Sequence, residues 1–139
     1  MEPKIKKAYV DTGKVKFEFR HFPYIGEDSR RGALAANCAA EQSKFWPFHE
    51  RLYAEQGRAT LQTAALISHA EAVGLDKAAF SACLEEKIKA QKVEADFKAA
   101  RDQGITGTPT FVVNGEKVIG GRSYEQMVEI IEAALAKKK

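Results

Sequence analysis

Gly104–Gly115, read GITGTPTFVVNG, leaves less conformational choice than any other part of this 139-residue chain. Gly104 follows a long helical pattern, and a left-handed helix end suits glycine because it has no Cβ to clash. Thr108-Pro109 opens the β-branched and aromatic run Thr110-Phe111-Val112-Val113. A proline cannot donate to a sheet ladder, so it belongs at a strand's first residue or edge. Asn114 and Gly115 both tolerate positive φ, which predicts a two-residue type I′ hairpin. Glu116-Lys117-Val118-Ile119 is then the returning strand. Gly120-Gly121 ends it, and Ser123-Tyr124-Glu125-Gln126 is a capping box that opens a last helix.

Upstream, Pro3–Val10 reads as a short helix with Ile5 and Tyr9 on one face, followed by the turn Asp11-Thr12-Gly13. Val15–Arg20 alternates apolar and charged residues with period two, the pattern of a half-exposed strand, and Pro23 stops it. From Asp28 to Gln103 the period is helical throughout. Asp28 or Ser29 is the expected cap of an alanine-rich helix carrying Leu34, Cys38 and Ala39. A second helix begins near Phe45, where Pro47 fits the first turn, and runs towards Gly57. Thr60 or Thr63 is expected to cap a third helix ended by Gly74, and Asp76 a fourth through Phe80, Cys83 and Leu84. A fifth, about Glu86–Gln103, lines up Val93, Phe97 and Ala100. The chain is therefore α/β: one strand, a helical block, a hairpin and a helix.

This length and 45% hydrophobic content suit one globular domain with a sizeable core. A net charge of +3, evenly spread, argues against nucleic acid as a partner. No apolar run approaches the roughly 18 residues of a membrane-spanning helix, and no signal-peptide pattern follows Met1. Lys137-Lys138-Lys139 reads as a solvated helix end favoured by the helix dipole.

VDTGKVKFEFRHFP, AANCAAEQSKFWPFHERLYAEQ and VEADFKAARDQGITGTPTFVVNG resemble successive blocks of the DsbA-like thiol–disulfide oxidoreductases. The resemblance covers nearly the whole chain. It implies a thioredoxin-like fold whose thioredoxin part is 1–27 with 104–139, interrupted by an all-helical insertion, 28–103. It implies a cis Thr108–Pro109 bond, with Thr108 presenting its backbone to a bound protein or peptide substrate. It also implies a periplasmic or extracellular setting and no cofactor.

That family's chemistry rests on Cys-x-x-Cys at a helix N-terminus, where the dipole and free N–H groups stabilise a thiolate. No Cys-x-x-Cys occurs here; the only cysteines are Cys38 and Cys83. The first strand and the start of the active-site helix are absent as well, so the chain reads as a piece beginning late or a variant without its redox centre. No catalytic residue carries over, and inactivity of this chain is the expectation. The missing strand would lie between Val15–Arg20 and Thr110–Val113. Open strand edges there invite pairing, which predicts a homodimer unless the chain closes the gap itself.

By the same resemblance, Cys38 and Cys83 form a structural disulfide, with two free core thiols as the alternative. His21, His49 and His69 lack metal-ligand spacing and read as surface or rim residues. Phe45, Trp46, Phe48 and Tyr53 read as core packing, and Glu85–Arg101 as a solvated helix face. Gly120-Gly121 lacks the pattern of a phosphate loop. Three functions follow: an oxidoreductase domain whose redox half lies outside these residues, a redox-inert peptide-binding module, or a strand-pairing assembly element. A glutathione-dependent relative fits the TGTPTFVVNG opening less well.

Overall fold

The computed structural model describes residues 1–137, the side chain of Arg58 excepted; Lys138 and Lys139 lie outside the described residues. In chain order the elements are α1 (Glu2–Ile5) continuing into a π-turn (Lys6–Val10), α2 (Glu27–Glu41), α3 (Phe45–Ala54), a 3₁₀ turn (Arg58–Leu61) and α4 (Thr63–Ala72). Then come α5 (Lys77–Leu84), α6 (Lys87–Asp102), β1 (Thr110–Val113), β2 (Glu116–Ile119) and α7 (Tyr124–Ala136). The chain divides into two compact units, Met1–Arg20 with the segment from Gly104 onward, and His21–Gln103. No described helix is long and apolar enough to cross a membrane.

The first unit is built on a hairpin. β1 and β2 pair antiparallel, Thr110 opposite Ile119 and Val113 opposite Glu116. The turn has φ +48° at Asn114 and +89° at Gly115, as a type I′ turn requires. Ser123 Oγ accepts from the Gln126 N–H while Gln126 Oε1 accepts from the Ser123 N–H, completing the capping box of α7. Ile5, Tyr9, Met127 and Ile131 form the core, with Val15 and Phe111 packed against it. Tyr9 Oη donates to Glu132 Oε1 at 2.7 Å, tying the first helix to the last. That hydrogen bond, then burial, pushes the phenol up to about 12.

Two expectations change in this unit. The predicted Pro3–Val10 helix widens over Lys6–Val10, where the Asp11 N–H reaches back to Lys6 O. Val15–Arg20 keeps its alternation of burial but joins no sheet among the described residues, so it is not the predicted strand. Alternation decides which side chains point inwards; a strand also needs a hydrogen-bonding neighbour, which the pattern does not supply.

The second unit is helical. Ala35, Ala36 and Ala39 let the α2 backbone approach its neighbours, and Phe48, Leu66 and Phe80 fill the space they leave. Asp76 caps α5 as predicted, its Oδ1 accepting from the Ala79 N–H at 2.7 Å. The other two caps are corrected. α2 starts from Gly26, because Asp28 Oδ1 is taken by Arg31 at 2.8 Å and by Gln62 at 3.3 Å. α4 starts from Gln62, because Thr60 Oγ1 donates to Gly57 O instead, closing the 3₁₀ turn. α3 stops at Ala54, short of Gly57.

Candidate functional site

The hairpin places Thr108 and Pro109, both exposed, at the mouth of β1. Thr110 Oγ1 donates to Gly107 O at 2.8 Å and holds the turn that delivers them. The Thr108–Pro109 bond is cis. The Gly120 N–H donates to Pro109 O at 2.9 Å, the first rung between the strands. Bonded pairs alternate along an antiparallel ladder, so Phe111 and Val113 turn their backbone groups towards β2. Thr110 and Val112 therefore point theirs outwards, and no described residue accepts from their N–H groups. Among the described residues, no strand pairs with this edge of β1.

Cys38 on α2 and Cys83 on α5 lie with their sulfurs 2.07 Å apart, at bonding distance, and Cα atoms 5.8 Å apart. They are 1% and 4% exposed, inside the core of the helical unit. Both fall within helices, away from the N-terminal field that activates a thiol.

The three histidines are buried, at 6%, 4% and 5% exposure for His21, His49 and His69, which corrects their placement at the surface or rim. Each is enclosed by neighbours, although His69 Nε2 has no hydrogen-bond partner among the described residues. His21 Nε2 donates to Asn37 Oδ1 at 2.9 Å. His49 stacks on Phe45 at 5.4 Å and meets Trp46 and Tyr53. His69 Nδ1 accepts from Arg51 Nε at 3.0 Å. Phe45, His49 and Tyr53 recur at i, i+4 and i+8 on one helix face, and that spacing was the signal for the cluster. The expected aromatic core divides: Phe48 is fully buried, whereas Tyr53 is 58% exposed.

Burial lowers the His21 pKa, aided by His49 on α3 and Lys92 on α6; the Asn37 hydrogen bond and Asp96 on α6 oppose this. The sign follows from the two states. The unfolded chain takes up the proton near pH 6.5, the folded chain only at lower pH, so acid favours unfolding. His21 thus stabilises fully above about pH 6.5 and loses that contribution as pH falls towards its folded value. Urea midpoints at pH 7.5 and 5.5 are expected to differ more for the parent chain than for His21→Gln. An equal drop in both would exclude His21 as the source.

Residues 1–133 match the family model described as thioredoxin. The crystal structure of oxidised BdbD from Bacillus subtilis superposes with TM-score 0.83 and 30% identity, over 96% of this chain and 76% of that one. The chain belongs to the DsbA-like thiol–disulfide oxidoreductase family. Its fold is thioredoxin-like with a helical insertion, mostly helical, with a small two-stranded sheet. The disulfide bond formation protein D of Bacillus subtilis is 30% identical over 98% of this chain and 64% of its own length. The Na(+)/H(+) antiporter NhaA 3 of Salinispora tropica is 34% identical over 97% of this chain but only 21% of its own length. This DsbA-like chain thus spans about two thirds of one relative and about one fifth of the other.

Proposed function

We propose that this chain serves protein-disulfide chemistry by holding an extended polypeptide substrate, and that its own two cysteines exchange no disulfides with it. The observation that carries this reading is the state of Cys38 and Cys83: bonded to each other and almost inaccessible. Thiol–disulfide exchange needs a thiolate to reach a sulfur and pass through a mixed disulfide. A sulfur enclosed by core side chains offers no such approach, so the pair is a structural disulfide in this reading. Exchange at a bound substrate then depends on a Cys-x-x-Cys supplied from outside these residues.

Substrate holding rests on Thr108 and Pro109, both exposed at the mouth of β1. Main-chain hydrogen bonds at Thr108 would hold an extended peptide without demanding a particular sequence. Such breadth suits a family whose substrates are proteins in general. The thioredoxin part, 1–27 with 104–139, carries this surface, and the insertion, 28–103, carries the bridge. A disulfide of this kind persists in an oxidising compartment, which favours a periplasmic or extracellular setting.

The test has two arms. Dithiothreitol oxidation by this chain is expected to stay at background, and to remain there with Cys38→Ser or Cys83→Ser. Turnover that vanishes in either variant would make the pair a redox centre. An extended peptide is expected to bind, and its backbone N-methylated version to bind at least tenfold more weakly. Equal binding of the two would remove main-chain recognition at Thr108 from the mechanism. The outward backbone groups of Thr110 and Val112 support a second reading, a homodimer paired through β1. Concentration-dependent sedimentation without peptide binding would favour it.

A further inference from the structure

We propose that a groove in the helical unit, walled by α2, α4, α5 and α6, binds an aliphatic chain that ends in a cationic group. The cavity measures about 430 Å³, within the range of small-molecule sites, roughly 300–1,000 Å³. Its floor is hydrocarbon: Leu34, Ile67, Leu84 and Val93. A linear alkyl chain laid on that floor leaves water, and each methylene buried strengthens binding about fourfold.

The charges at the rim select the head group. Arg30 is engaged with Glu94 at 2.7 Å, and Arg31 with Asp28 at 2.8 Å and Leu61 O at 3.2 Å. Glu27 and Glu85 also line the groove, and among the described residues neither carboxylate has an ion-pair or hydrogen-bond partner. Three carboxylates, Glu27, Glu85 and Glu94, line the groove against two guanidiniums, Arg30 and Arg31, so the net charge facing a ligand is negative. An anionic head would have to share Arg30 and Arg31 with Glu94 and Asp28 and would meet Glu27 and Glu85 besides. A cationic head meets two carboxylates with nothing to displace. The walls are also held in place: Leu34 lies one turn before Cys38 on α2, and Leu84 adjoins Cys83 on α5, so the cysteine link fixes their spacing. A preformed groove loses less freedom on binding than one that must assemble.

The experiment titrates the ¹⁵N-labelled chain with octyltrimethylammonium, hexyltrimethylammonium and octanoate, following amide shifts. Octyltrimethylammonium is expected to give saturable shifts at Leu34, Ile67, Leu84 and Val93. The hexyl analogue should bind about fifteenfold more weakly, as two lost methylenes require. Octanoate should bind at least tenfold more weakly than the cation. The double variant Glu27→Gln/Glu85→Gln should keep its amide dispersion and lose about tenfold in affinity for the cation. No saturable shift at those four amides, equal binding of octanoate, or an unchanged double variant would each overturn the proposal.

Discussion

Reducing the Cys38–Cys83 bridge is expected to lower the free energy of unfolding by about 4 kcal/mol. The two residues are 45 positions apart. Closing a loop of that length removes conformational freedom from the unfolded chain, and the loop-entropy relation puts the effect at about 4 kcal/mol near room temperature. For a chain of this size the melting temperature should fall by roughly 10–15 °C. The comparison is cleanest between the oxidised and reduced parent, with Cys38→Ala/Cys83→Ala as the genetic equivalent. A single serine variant would mix two effects, because a hydroxyl buried without a partner costs a further ~1–3 kcal/mol. Urea unfolding with and without reductant measures the difference. A gap below about 1 kcal/mol, well under the loop-entropy figure, would mean that the folded core alone sets the spacing of α2 and α5.

The second large effect is expected at Phe48. Its ring is fully buried and lies 5.5 Å from the ring of Phe80, joining α3 to α5. Phe48→Ala removes the ring and leaves a cavity that the surrounding helices close only in part, a loss of about 3–5 kcal/mol. Tyr53→Ala, on the same helix but more than half exposed, should stay within about 0.5 kcal/mol. Phe48→Ala/Phe80→Ala should cost less than the sum of the singles, because the two cavities merge. Equilibrium urea unfolding reads all four, and a Phe48→Ala loss no larger than that of Tyr53→Ala would contradict this packing. Loss of the bridge and of Phe48 together approaches the whole stability of a typical domain, roughly 5–15 kcal/mol. The helical unit should then fold poorly in a reducing compartment.

The residues legible from the sequence are those whose structure is decided within a few positions of themselves. Asn114-Gly115 made the hairpin, Ser123 and Gln126 capped α7, Asp76 capped α5, and Gly104 took the left-handed position after α6. In each, the donor, acceptor or permissive backbone lies within one turn, so the outcome needed no distant partner. The candidate site was legible to the same extent. Thr108 and Pro109 stand out because proline at a strand mouth is a local constraint, and the absence of Cys-x-x-Cys is a fact of composition.

The tertiary structure decided the rest. Asp28 had the chemistry of a helix cap, but Arg31 and Gln62 claimed its carboxylate, and α2 began at Gly26. Val15–Arg20 had the period of a strand, but pairing is a property of two segments, and among the described residues it joins no sheet. Polarity placed the histidines outside; packing against Asn37, Arg51 and the aromatic rings of α3 enclosed them instead. Whether the two cysteines meet, and whether either sulfur reaches solvent, depended on the packing of α2 against α5. Contacts of that kind join residues tens of positions apart, and local propensity carries no information about them.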